Sequence, residues 1–208
     1  MRAKIARMKR TIAAAAAGYL LGSIPSADVA ARLASGGQLD LRASGSGNPG
    51  GANAADVLGK KWGYPVMAAD IGKGVLASFV GRAVGGPNGA HVAGTASVVG
   101  HCFPVWSGFR GGKGFASAVG QNLATFPAFF PVEAGIVAVT AALPWKSRSV
   151  AVVRAGGSAW VGAGLYWWLA RRPNGWGPKP TVALPLAAAA TTAVVWQRFA
   201  KANANKPA

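Results

Sequence analysis

With 208 residues, 51% of them hydrophobic and only 13% charged, the chain carries about half the charged fraction usual for a soluble domain, roughly 25%. The net charge of +17 is spread over short connectors between apolar stretches and not gathered on one aromatic-lined basic face, which argues against nucleic acid and for a membrane protein with basic loops. A single cysteine, Cys102, and two histidines allow no internal disulfide and no zinc or HExxH spacing, so neither metal nor cofactor is expected.

Apolar runs of about 17–25 residues are long enough to cross a bilayer as helices. The first covers residues 11–34 and follows a basic segment at residues 1–10. That start has the look of a secretory signal, but the apolar run continues past signal length, and a retained first helix is expected. Two further spans are expected at residues 63–84 and 90–106. The run from 115 to 145 is too long for one crossing, and Pro127 and Pro131 divide it into two helices. The last spans fall at residues 150–169 and 181–199. The expected fold is all-α, a polytopic membrane protein of about seven transmembrane helices. It forms one domain over residues 1–208, with a polar tail at 200–208. Thirty glycines and eight tryptophans suit closely packed membrane helices with aromatic residues at the interfaces. An odd number of crossings places connectors 35–62, 107–114 and 146–149 on one side. Each carries Lys or Arg, and that side is expected to be cytoplasmic. The same count leaves the basic N-terminus, Arg171, Arg172 and Lys179 on the other side, against the rule.

Three polar constellations interrupt this apolar background. Residues 39–53 read Leu-Asp-Leu-Arg-Ala-Ser-Gly-Ser-Gly-Asn-Pro-Gly-Gly-Ala-Asn. Backbone N–H groups in such a glycine loop can turn inward and, with Ser and Asn side chains, cradle a phosphate; a flexible linker is the plainer alternative. Residues 100–114 read Gly-His-Cys-Phe-Pro-Val-Trp-Ser-Gly-Phe-Arg-Gly-Gly-Lys-Gly. Here Arg110 and Lys113 flank two glycines just ahead of a helix start, where cations, bare amides and a helix N-terminus favour an anion. The P-loop spacing is missing, which disfavours nucleotide hydrolysis. The third constellation, Asp70-Ile-Gly-Lys-Gly74, lies inside an apolar span, and its i, i+3 spacing allows Asp70 and Lys73 to pair. His101, at a span end, could bind an anion or cap a helix. Asp28 and Glu133 receive no role.

Taken in order, Gly18-Tyr-Leu-Leu-Gly-Ser-Ile-Pro25, Asp40-x-Arg42, Gly45-Ser-Gly-Asn-Pro-Gly50 with Asn53, Leu58-Gly-Lys-Lys61, Asp70-x-x-Lys-Gly74, and Gly100-His-x-Phe-Pro104 with Arg110-Gly-Gly-Lys-Gly114 resemble the bacterial acyl-phosphate:glycerol-3-phosphate acyltransferase family. The resemblance implies a seven-helix enzyme of the bacterial cell membrane with its active site facing the cytoplasm. It would move an acyl group from a fatty acyl phosphate to the 1-hydroxyl of glycerol 3-phosphate, giving lysophosphatidic acid and phosphate in phospholipid synthesis. Its partners would be these two substrates and membrane lipid, without nucleic acid, metal or cofactor. The implied catalytic residues are Lys113 and Ser46. The implied substrate-binding residues are Arg42, Gly47, Asn48, Asn53, His101, Arg110, Gly111, Gly112 and Ser149.

The sequence departs from the family pattern in three places. Asp56 stands where the family has an Arg, three residues after Asn53. The third motif survives only as Arg148-Ser-Val-Ala151. The C-terminal segment, Gln197-Arg-Phe-Ala-Lys-Ala-Asn-Ala-Asn205, lacks the family's histidine. A weakened site for glycerol 3-phosphate is the expected consequence. The competing reading is a diverged paralogue that binds or transports another phosphorylated small molecule.

Overall fold

The computed structural model describes residues 1–204. It holds α1 (Arg2–Gly22), α2 (Ser26–Ser35), α3 (Gly51–Leu58), α4 (Lys60–Cys102), a 3-10 turn (Val105–Ser107), α5 (Phe115–Thr125), α6 (Phe130–Ala142), α7 (Arg148–Leu169) and α8 (Ala183–Ala204), with no strand among the described residues. Residues 205–208 of the expected polar tail lie outside the described residues, and α8 takes up the rest of it as helix.

Packing is inverted relative to a soluble protein. The buried apolar set is rich in alanine, including Ala14, Ala54, Ala77, Ala93 and Ala188, while Leu76, Phe79, Val139, Leu169, Leu186 and Trp196 face outward. Small residues inside and bulky apolar residues outside is the arrangement in which helices contact each other backbone to backbone and lipid solvates the exterior. By length and composition alone, one helical stretch, Arg2–Ser35, is apolar enough to cross a membrane, and α6 is a shorter apolar helix. The other long helices are diluted by Gly, Pro, Thr, Trp and a few charges, which lowers their mean hydropathy without shortening them.

Each expected boundary that moved did so for a local reason. The expected span at residues 11–34 breaks into α1 and α2 at Ile24–Pro25, since Pro25 has no N–H to continue the ladder. Helix α3, grown out of the first glycine loop, had no apolar signal of its own. The spans expected at 63–84 and 90–106 are two legs of α4, which meet at Gly86 in a left-handed conformation (φ 67°, ψ −157°) just before Pro87. Proline disfavours the helical conformation of the preceding residue, and glycine tolerates the alternative. The second leg stops at Cys102, and Trp106 belongs to the 3-10 turn. Pro127 falls in the break between α5 and α6, as expected, whereas Pro131 sits in the first turn of α6, where no N–H is required.

Close helix contacts bring the ends of several elements together. A Cβ on Gly18 would overlap the Ala93 backbone, and one on Gly22 would overlap that of Ser97, so α1 runs parallel to the second leg of α4 with no side chain between them. Gly81 and Gly89 meet in the same way across the α4 hairpin. The C-termini of α1 and α4 therefore arrive at one end of the bundle, beside α2, α3 and the loop that leads into α5.

Candidate active site

The two glycine-rich loops meet at this end. Arg42, in the first loop, donates from Nε to the Arg110 carbonyl of the second at 2.8 Å. Its Nη1 and Nη2 reach both carboxylate oxygens of Asp28 on α2, at 2.6 and 3.1 Å. Ser107 donates to the same Asp28 carboxylate at 2.9 Å. Asp28, to which sequence reasoning gave no role, is thus the anchor that binds α2, the first loop and the second loop together. Its hydrogen bonds to the Arg42 guanidinium hold that group's pKa above the ordinary arginine value, so the cation is permanent.

The first loop is organised from within by Asn53 on α3, which is 2% exposed. Its Oδ1 accepts from the Ser46 N–H at 2.7 Å, and its Nδ2 donates to the Leu41 and Ser44 carbonyls, each at 3.0 Å. Gly47 also donates to the Ser44 carbonyl at 3.1 Å. The amides of Ser46 and Gly47 are therefore engaged inside the loop. What the loop presents outward is the Ser46 side chain, exposed, and the half-buried Asn48.

In the second loop the chain folds back tightly on the end of α4. Gly111 donates to the Cys102 carbonyl at 3.2 Å and Gly112 to that of His101 at 3.1 Å. A Cβ at Gly111 would overlap the His101 carbonyl, and one at Gly112 would overlap the His101 ring, which explains the glycine pair by steric exclusion. The bare amides expected from the sequence are spent on this return, so anion contacts at this point fall to side chains. Arg198 of α8 closes the structure from the other side. It donates to the Gly112 carbonyl at 3.0 Å and the Gly111 carbonyl at 2.6 Å, and lies 5.2 Å over the Phe103 ring. Lys113 is half-buried, with Nζ 5.1 Å from the centre of the Phe199 ring.

Beneath the loops lies a buried polar cluster. Asp70 and Lys73 pair at 2.8 Å, as their spacing predicts. Ser26 donates to Asp70 at 2.6 Å and accepts from Lys73 at 2.9 Å, and Lys73 also donates to the Ile24 carbonyl. The His101 Nδ1 stands 3.5 Å from the same Asp70 oxygen. The cluster satisfies the carbonyl freed at the α1–α2 break and ties it to α4.

Above the cluster is a polar cavity of about 20 Å³ lined by residues including Asp28, Arg42, Lys73, His101, Gly111 and Gly112. Four expected site residues, Arg42, His101, Gly111 and Gly112, are thereby brought together. Ser46, Gly47, Asn48 and Asn53 form the adjoining loop, and Arg110 and Lys113 flank the glycine pair. Ser149 is elsewhere, on a wider cavity of about 480 Å³ with Phe115, Lys146, Arg148, Phe199 and Asn203. That basic cavity shares Phe115, Val152 and Val153 with an apolar one of about 290 Å³ between α5, α6, α7 and α8. Asp56 is exposed on α3 and lines none of these spaces. Sequence reasoning missed Asp28, Ser107, Ser26 and Arg198. Asp28, Ser26 and Arg198 sit outside the glycine-rich loops, and Ser107, inside the second, is marked by nothing local; their contacts span 14 to 87 residues. Among the described residues, no group of three or more His, Cys, Asp or Glu is placed to hold a metal ion.

The model of the glycerol-3-phosphate acyltransferase family matches residues 12–205. The chain belongs to this family. Curated glycerol-3-phosphate acyltransferases similar to it include that of Jannaschia sp., 42% identical over 66% of this chain and 66% of the relative. That of Chlorobium luteolum is 39% identical over 70% and 65%, and that of Exiguobacterium sibiricum 45% identical over 55% and 55%. The matched part of the chain spans 55–66% of the length of these relatives. A crystal structure of PlsY (YgiH), an integral membrane glycerol 3-phosphate acyltransferase in its glycerol 3-phosphate form, superposes with a TM-score of 0.71 at 30% identity, over 94% of this chain and 90% of that one. The lysophosphatidic acid form gives 0.69 at 29% identity. Outward-facing large apolar side chains and this likeness make the chain a membrane protein, helical throughout its described elements.

Proposed function

We propose that this protein transfers a fatty acyl group from an acyl phosphate to the 1-hydroxyl of glycerol 3-phosphate. The observation that carries the reading is the Arg42–Arg110 bond, which seats both phosphate-suited loops at one end of the bundle next to an apolar cavity. A reaction between two phosphorylated substrates, one with a hydrocarbon tail, needs that combination. The family membership and the PlsY structures in glycerol 3-phosphate and lysophosphatidic acid forms support the same chemistry.

Glycerol 3-phosphate binds at the mouth of the polar cavity, against Ser46, Asn48 and Arg110, with Arg42 and His101 beneath it, since the cavity itself, at about 20 Å³, has room for little more than a water. The basic cavity with Lys146, Arg148 and Ser149 receives the acyl phosphate head, and the tail enters the apolar cavity past Phe115. The glycerol oxygen forms the new ester bond to the acyl carbon as the bond from that carbon to the phosphate oxygen breaks, and the hydroxyl proton leaves with phosphate. An acyl phosphate is already activated, so positioning and charge stabilisation suffice. Lys113, at the start of α5, stabilises the leaving phosphate together with the helix N-terminus, and Ser46 donates to a substrate phosphate. Asn53, Gly47, Gly111 and Gly112 shape the two loops. The two legs of α4 with α1, α5, α6, α7 and α8 make seven membrane-embedded helices, with the loop end in the cytoplasm, where the basic connectors favour it. Of these, α5 and α6, at 11 and 13 residues, are too short to cross the hydrocarbon core alone.

Purified protein in detergent, given palmitoyl phosphate and glycerol 3-phosphate, should release phosphate and form lysophosphatidic acid in equal amounts. Absence of the ester product, with or without phosphate release, overturns the reading.

A further inference from the structure

The apolar cavity is not apolar throughout. Its walls are Ala118, Val119, Val137, Val153 and Val195, but Asn122, Glu133, Trp160 and Thr192 also line it. Both side-chain amide atoms of Asn122, Glu133 Oε2, Trp160 Nε1 and Thr192 Oγ1 are buried without a hydrogen-bond partner. Asn122 is 2% exposed and Trp160 3%. The adjoining Thr191, Gln121 and Thr95 side chains, by contrast, satisfy one another: Thr191 donates to Gln121 Oε1 at 2.9 Å, and Gln121 Nε2 donates to Thr95 at 3.1 Å. Four side chains from four different helices thus bring partnerless groups to one cavity wall; the other such groups among the described residues, on His91, Ser97, Ser117 and Asn174, do not line it.

They also sit within about one helical turn of one another in depth. Asn122 follows Phe115 by seven residues on α5, and Thr192 precedes Phe199 by seven on α8, which at 1.5 Å per residue is about 10 Å inward from the basic cavity on both helices. Trp160 lies eight residues beyond Val152 on α7, about 12 Å inward. Glu133 reaches the same wall from α6, with Oε1 3.5 Å from where a Cβ on Gly156 would stand. A plain hydrocarbon tail passing this level meets an indole donor, an amide, a carboxyl group and a hydroxyl, and satisfies none of them. A hydroxyl has one proton to give and two lone pairs to offer. It can accept from Trp160 Nε1 and Asn122 Nδ2 while donating to Glu133.

We propose that the inner end of this cavity selects acyl donors bearing a mid-chain hydroxyl, read by Asn122, Glu133, Trp160 and Thr192. The proposal rests on the acyl-phosphate reading above and deepens it by naming the class of donor. An extended chain advances about 1.2 Å per bond, so a depth of about 10 Å places the hydroxyl roughly eight bonds from the carbonyl.

The test is a competition between octadecanoyl phosphate and its analogue hydroxylated about eight to ten bonds from the carbonyl, with the two lysophosphatidic acids resolved by mass. The hydroxylated product should exceed the plain one about ten-fold, the scale of one or two net hydrogen bonds. Asn122→Leu with Glu133→Leu should abolish that ratio, and the near-isosteric Thr192→Val should reduce it even where the double variant fails to fold. A ratio near one in the wild type, or a ratio unchanged in Thr192→Val and in a folded double variant, overturns the proposal. Should neither donor be turned over, the acyltransferase reading falls. Thermal stabilisation of the detergent-solubilised protein by the free hydroxy acid over the plain acid then decides this one, and equal shifts overturn it.

Discussion

Asp28 grips Arg42 with both carboxylate oxygens, at 2.6 and 3.1 Å, and takes the Ser107 hydroxyl as well. Three elements depend on one carboxylate, which is given no substrate-binding role and holds the Arg42 cation in place. Asp28→Asn keeps the shape but loses the charge and the bidentate geometry, a change of about 1.5–3 kcal/mol for a charged hydrogen-bonded pair. The expected result is a KM for glycerol 3-phosphate raised about ten-fold or more, with kcat less affected, because the residue positions a binding cation. Steady-state kinetics at saturating acyl phosphate separate the two parameters.

Lys113→Ala and Ser46→Ala should each lose most turnover while the protein stays folded. Removing one preorganised donor from a developing anion costs roughly 10²–10³ in rate. Phosphate release measured alongside circular dichroism checks both halves of the statement. A near wild-type rate in either variant removes that residue from the catalytic centre.

Arg198 fixes the glycine return by donating to the Gly111 and Gly112 carbonyls at 2.6 and 3.0 Å. A planar fork serves two adjacent acceptors, and an ammonium does not reproduce it. Arg198→Lys should therefore fail to restore the activity lost in Arg198→Ala, and both should lower the melting temperature. Parallel activity and thermal-melt measurements on the two variants decide the matter.

Asp56 places an anion on α3, near a loop expected to bind phosphate. Asp56→Arg should lower the KM for glycerol 3-phosphate with little change in stability, since the side chain is exposed. An unchanged or higher KM would show that Asp56 does not weaken glycerol 3-phosphate binding.

The Asp70–Lys73 pair is buried, with side chains 3% and 7% exposed. Removing one partner strands the other, and losses of about 3–5 kcal/mol are typical. Lys73→Met and Asp70→Asn should each destabilise strongly, while the double variant should be less destabilised than the sum of the two. Denaturation in mixed micelles, arranged as a double-mutant cycle, measures the coupling.

Much of this molecule was legible in its sequence. The helical runs, the break at Pro127, the Asp70–Lys73 pair and the two glycine-rich loops are all local matters. They follow from proline's missing N–H, from i, i+3 spacing and from glycine's reach, and need no knowledge of the fold. The apolar walls and Gly/Ala seams likewise dictate a lipid-facing bundle. Tertiary structure alone decided how the loops are held. Asp28 to Ser107 spans 79 residues and Arg198 to Gly112 spans 86, and nothing local to either partner marks it for the other. It also decided that the loop amides turn inward to Asn53, His101 and Cys102, leaving side chains to meet an anion. Whether a backbone N–H is free depends on which acceptor comes within reach, and that is set by the packing of α3 and α4 against the loops, not by the glycines themselves.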